Sequence, residues 1–75
     1  MEMSLDRLRL GQQGVVTCID TDMALQRRLR AFGLVPGTSV SCRYRTPDGS
    51  VTALELRGTV LALRRRDIHH IWVRC

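Results

Sequence analysis

Arg28-Leu29-Arg30-Ala31-Phe32-Gly33-Leu34-Val35-Pro36-Gly37-Thr38 reads as the last turns of a helix, a glycine stop, a tight turn and the first residue of a strand. Gly33 follows the last apolar residue of the helical pattern, where a left-handed conformation costs glycine least. Leu34 then falls where a helix-ending motif returns an apolar contact to the helix. Pro36-Gly37 fits the two central positions of a type II turn, because proline presets its own φ and glycine accepts a positive one. So much punctuation in so few residues predicts a fixed helix-to-strand corner.

Upstream of the corner, Leu5 to Leu10 alternates loosely and ends at Gly11, and Gly14 opens Val15-Val16-Thr17-Cys18-Ile19, a β-branched run expected as a buried strand. Asp20-Thr21-Asp22 offers N-caps and negative charge where a helix dipole favours it. Leu25, Leu29 and Phe32 then fall at i, i+4 and i+7, one apolar stripe, with Arg27, Arg28 and Arg30 toward the carboxy-terminal end.

Downstream, Val40, Cys42 and Tyr44 point one way, and Ser39, Ser41, Arg43 and Arg45 the other, as in a half-buried antiparallel strand. Thr46-Pro47-Asp48-Gly49 is a turn, and Thr52, Leu54 and Leu56 return with Glu55 and Arg57 on the opposite face. Gly58 permits a bend, and Thr59 to Leu63 forms a further apolar strand. Arg64-Arg65-Arg66-Asp67 makes a polar corner with one short helical turn, Ile68 points inward, and Ile71-Trp72-Val73 closes the chain as a strand. Five short strands and one helix predict a small closed or nearly closed barrel, with the helix between the first two strands and plugging one end.

The chain has 75 residues, which implies one domain over 1–75. A domain of this size buries only about 60% of its unfolded surface, so its apolar residues belong to one core with little left for an internal pocket. Each buried Leu, Val or Ile contributes roughly 2 kcal/mol. No apolar run approaches the roughly 20 residues that span a bilayer, and Met1 to Asp6 lacks the basic start and apolar run of a signal peptide. Cys18, Cys42 and Cys75 are odd in number and widely spaced, which is no disulfide framework, and Cys18 and Cys42 are expected inward as small hydrophobes. These features predict a cytosolic protein. The net charge of +5 rests on twelve arginines and no lysine. It suits an acidic protein surface, an anionic membrane face or nucleic acid.

The order and spacing of Leu5-x-x-Leu8-x-x-Gly11-x-x-Gly14-x-Val16, of Arg28-Leu29-x-x-Phe32-Gly33-Leu34-x-Pro36-Gly37-Thr38, of Arg57-Gly58-x-x-Leu61-Ala62-Leu63-Arg64-Arg65 and of Ile71-x-Val73 resemble the FeoA family across nearly the whole chain. Those are small cytosolic accessory proteins of bacterial ferrous-iron uptake. Phe32 stands where the family usually carries Leu or Met. FeoA-like domains also occur fused to iron-dependent regulators and to the permease itself; the lack of a companion domain here favours the stand-alone accessory protein. The resemblance implies a mainly β fold, a small SH3-like five-stranded barrel with one inserted helix. It also implies action by contact with FeoB, a membrane permease carrying a cytosolic GTPase domain. Contact with the inner membrane surface through that partner and weak self-association are further expectations.

Other chemistry fares less well. A GTPase-activating role would use an arginine finger, but with twelve arginines the presence of one is uninformative. No glycine-rich phosphate loop with lysine exists, so the chain has no P-loop. His69-His70 beside Asp67 invites a metal reading, with Cys75 as a further weak candidate. In an extended segment adjacent residues face opposite ways, and no CxxC or HxxxH spacing supplies more ligands, so a metal carrier is the lesser alternative and no cofactor is expected. Nucleophilic catalysis lacks a paired base, and the chain reads as a non-enzyme. A nucleic-acid-binding barrel is the other alternative, but of three aromatic residues Phe32 and Tyr44 fall on expected core faces, leaving Trp72 as the single outward ring. The partner-contact candidates are therefore Arg28, Leu29, Leu34, Arg43, Arg45, Arg57, Arg64, Arg65 and Trp72, with Arg66 extending the second basic face. Gly33, Pro36, Gly37 and Gly58 serve as structural turns.

Overall fold

In the computed structural model, which describes residues 1–75, the helix-to-strand corner has the geometry its sequence dictates. Helix α1 (Met23–Ala31) starts under Asp22, whose carboxylate accepts from Leu25 N at 2.8 Å. It ends in a double bond pattern: Leu34 N donates to Leu29 O and Gly33 N to Arg30 O, each at 2.9 Å. Gly33 sits at φ 84°, the left-handed position that this closure requires. Thr38 N then donates to Val35 O at 3.0 Å across Pro36-Gly37, with Gly37 at φ 95°, a type II turn. The buried Thr38 hydroxyl donates to Gly33 O at 2.8 Å and ties the two turns together.

The strands are β1 (Glu2–Ser4), β2 (Gln13–Ile19), β3 (Ser39–Arg45), β4 (Val51–Leu56), β5 (Thr59–Arg64) and β6 (Ile71–Arg74). Leu5–Arg7 forms a 3-10 turn, and Arg65–Ile68 a one-turn helix, α2. All six strands make one antiparallel sheet in the order β1-β6-β2-β3-β4-β5. The five-stranded closed barrel is corrected on both points. A three-residue β1 precedes the first expected strand, too short to leave an alternation in the sequence. The sheet does not close: β1 pairs only with β6, and β5 pairs only with β4. Counting β1, the helix lies between the second and third strands rather than the first two.

Leu25 and Leu29 of α1 join Leu34, Val16, Val40, Ile68, Ile71 and Val73 in one core of fourteen side chains. On β4, Thr52, Leu54 and Leu56 are all buried, as the alternation implies. Two β-bulges reverse the expected facing elsewhere. Between β3 and β4, Cys42 pairs with Leu54 but Tyr44 with Ala53, so Arg43 is an extra residue. Tyr44 is therefore turned out, 57% exposed, and Arg45 is turned inward toward buried Thr52. Between β2 and β6 the register slips between Val16 and Cys18, and Cys18 emerges on the surface rather than in the core. Phe32 also leaves the core: α1 ends at Ala31, so Phe32, at φ −92° and ψ 0°, is off the helical stripe and half exposed.

Candidate functional site

The corner carries an arginine on its outer side. A two-residue turn, Arg57-Gly58, joins β4 to β5, with both residues at positive φ, 51° and 76°. From there the Arg57 side chain reaches back over Gly33: a Cβ built on Gly33 would lie 3.3 Å from Arg57 Cδ. Residues 24 positions apart in sequence thus share one surface, with exposed Pro36, Gly37 and Gly58 around them. Arg28 is exposed on α1. Leu29 and Leu34 are 1% and 0% exposed, so they hold the corner from inside and present nothing to a partner.

The two β3 arginines have separate roles because of the bulge. Arg43 is exposed and forms an ion pair with Glu55 across the sheet. Arg45 donates from Nη2 to Leu8 O at 2.8 Å and from Nε to Thr52 Oγ1 at 3.2 Å, satisfying a carbonyl of a fully buried residue. Arg45 is a structural tie, not part of a basic face.

Arg64 ends β5, and Arg65 and Arg66 open α2. With Asp48, Ser50 and Val51 they border a shallow hollow of about 500 Å³. Asp48 itself is engaged in the β3–β4 turn, accepting from Ser50 N at 3.0 Å and from the Ser50 and Thr46 hydroxyls at 2.8 Å each. Those bonds, led by the Ser50 amide, hold its carboxyl down to about 2. Of the twelve arginines only Arg43 lies within ion-pair distance of a carboxylate, which leaves the surface positive and its charge unneutralised.

His69 and His70 follow α2 in a turn, not an extended strand, so the opposite-faces argument does not apply to them. Their rings meet edge to face with centroids 5.0 Å apart. His69 Nδ1 lies 3.6 Å from Asp6 Oδ2, whereas His70 faces a separate hollow with Asp20, Asp22 and Asp67. No three His, Cys, Asp or Glu side chains gather in a way that would hold a metal ion. Cys75 is exposed. Trp72 is 40% exposed between buried Ile71 and Val73, and borders a cleft of about 630 Å³ with Met1, Met3, Asp6 and His69.

The sequence reading missed Phe32, Tyr44 and Val60 as surface residues, at 50%, 57% and 60% exposure. A bulge leaves no mark in composition, and an edge strand looks the same as a central one until its neighbours are known. The three aromatic side chains lie on a helix end, β3 and β6, and no two of them form a ring pair. No helix is long and apolar enough to cross a membrane.

Comparison with known proteins supplies the kinship that this surface alone does not. A family model described as a FeoA domain matches residues 3–75. The solution structure of the FeoA protein from Chlorobium tepidum is similar at 30% identity and a TM-score of 0.91, over 96% of this chain and 69% of that one. FeoA from Stenotrophomonas maltophilia, solved with zinc and described as a prokaryotic SH3 domain protein, is similar at 31% identity and 0.80, over 95% and 88%. A FeoA-like protein from Clostridium acetobutylicum follows at 27% identity and 0.84, over 97% and 85%. No curated protein matches the chain.

Proposed function

Because the chain belongs to the FeoA family, we propose that it is an accessory protein of ferrous-iron uptake acting by contact with a FeoB-type permease that carries a cytosolic GTPase domain. The observation that carries this reading is the family match over residues 3–75 together with the shared SH3-like fold. The surface supports a contact mechanism. Its hollows are shallow, no metal-holding cluster is gathered, and the groups that stand out are unpaired arginines and exposed rings. Arginine and aromatic side chains are the residue types that anchor protein interfaces. Arg57 over the Gly33 corner and the Arg64-Arg65-Arg66 run are the basic groups that would meet acidic partner surface or anionic headgroups. Trp72 supplies a further anchor.

The test is deletion of the gene followed by anoxic ferrous-iron uptake by whole cells. Reduced uptake restored by the wild-type gene is the expected result. Unchanged uptake in a strain without a second copy contradicts the reading.

A further inference from the structure

The two edges of the open sheet are not alike. β1 is three residues long, whereas β5 is six and pairs with β4 without a register shift. The Arg57-Gly58 turn fixes which way its backbone faces. In a two-residue hairpin the closing pair, Leu56 with Thr59, is hydrogen-bonded, and bonded pairs then alternate through Leu54–Leu61 and Thr52–Leu63. Val60 and Ala62 therefore direct N–H and C=O away from β4, where no strand lies. Natural edges are blunted by charge, proline, bulges or shortness. From Thr59 to Leu63 this edge has none of them.

The side chains extend the opening. Val60 is 60% exposed and Ala62 is exposed. Ala62 pairs with Ala53, and Ala53 with the outward Tyr44, so one cross-strand row runs from an aromatic ring to the free edge. Arginines stand at both ends, Arg57 before the strand, Arg64 as its last residue and Arg65 and Arg66 after it, and none has a carboxylate partner.

We propose that the outer edge of β5 is a docking site for an extended segment of a partner protein, apolar along its middle and acidic at both ends, which adds a seventh strand to the sheet. Backbone pairing supplies affinity in such additions, and side-chain rows supply selectivity. A second copy of this chain is a poorer occupant: antiparallel pairing of two β5 edges would oppose the arginines of one end to those of the other. The proposal rests on the reading that this protein works by contact.

The probe is a short synthetic peptide of alternating valine and threonine with paired glutamates at both ends, titrated into the full chain while amide hydrogen exchange is followed. Slowed exchange at Val60 and Ala62 is expected, with weaker binding of the same peptide capped by lysines. Ala62→Pro removes an outward N–H and no bond of the sheet, so it keeps the melting temperature and weakens the peptide about five- to tenfold. Val60→Glu, on an already exposed position, repels the glutamate-capped peptide without touching the backbone and gives the same answer should the proline variant not fold. Protection that spares Val60 and Ala62, undiminished binding by the folded variants, or self-association through β5 overturns the docking site. Iron uptake is measured separately in deletion and Ala62→Pro strains. Loss on deletion with normal uptake in Ala62→Pro overturns the edge alone. Unchanged uptake on deletion, with amide protection intact, overturns the transport reading alone.

Discussion

The corner between α1 and β3 and the hairpin of β4 and β5 lie against one another through Gly33 and Arg57, yet they are built on opposite terms. Apart from the half-exposed Phe32, the corner turns its large side chains inward: Leu25, Leu29, Leu34 and Thr38 are inside, and every turn carbonyl named above finds a donor. The hairpin buries one face only, through Leu54, Leu56 and Leu63, and leaves Val60, Ala62 and a row of backbone groups open. A small domain concentrates its stability where it has a core. What is left unburied and unpaired is where contact with another molecule costs the fold least.

The contrast is sharpest for Leu29→Gln. Placing an amide in the core that Leu29 shares with Leu25, Leu34 and Ile71 should cost about 3–5 kcal/mol, enough to unfold much of the population, as read by urea denaturation. The exposed Val60→Gln should stay within about 0.5 kcal/mol of wild type. Comparable losses at the two positions would erase the distinction between corner and hairpin.

A second pair lies within β3. Arg45→Ala strands the Leu8 carbonyl and should lose about 1.5–3 kcal/mol, whereas Arg43→Ala breaks an exposed ion pair and should lose about 0.5 kcal/mol or less. Equal costs would mean that the bulge does not turn Arg45 inward. The hairpin also holds backbone strain that the corner avoids, since Arg57 occupies a left-handed conformation without being glycine. Arg57→Asn should raise stability by about 0.5–1 kcal/mol in thermal melts, because Asn-Gly suits this turn. A fall instead would show that the side chain's packing over Gly33 outweighs the strain.

The smallest effect concerns Asp48. Its carboxyl is depressed in the folded chain, so the stabilisation it gives is complete above the unfolded value near 3.8 and drains away as pH falls toward about 2. Asp48→Asn should flatten that part of the stability-against-pH curve between pH 4.5 and 2 by lowering the neutral plateau, only slightly because the carboxyl is exposed, while stability toward pH 2 stays almost unchanged. A curve identical to wild type would mean that the Ser50 and Thr46 bonds do not form.

Why the corner was legible and the surface was not follows from these particulars. Gly33, Pro36 and Gly37 are local signals, each tied to one backbone conformation, and their bonds close within a few residues. The facing of Tyr44, Arg45 and Cys18 depends on an extra residue whose only sign is the partner strand's register. Sheet closure depends on β1 and β5, the two strands farthest apart in the sheet, and no local pattern encodes whether they meet. The basic character was plain from composition, but which arginines are free depends on hydrogen bonds to Leu8 and Glu55, both distant in sequence. Leu29 and Leu34 were sound as corner residues and misplaced as contacts for the same reason, since the motif that ends the helix also buries them.

The most direct check on action by contact is sedimentation of the purified protein with membrane vesicles of matched lipid composition, one set containing the FeoB-type permease and one lacking it. The account predicts retention only with the permease, weakening as salt rises because the free arginines take part. Equal retention on both sets, or on neither, contradicts it.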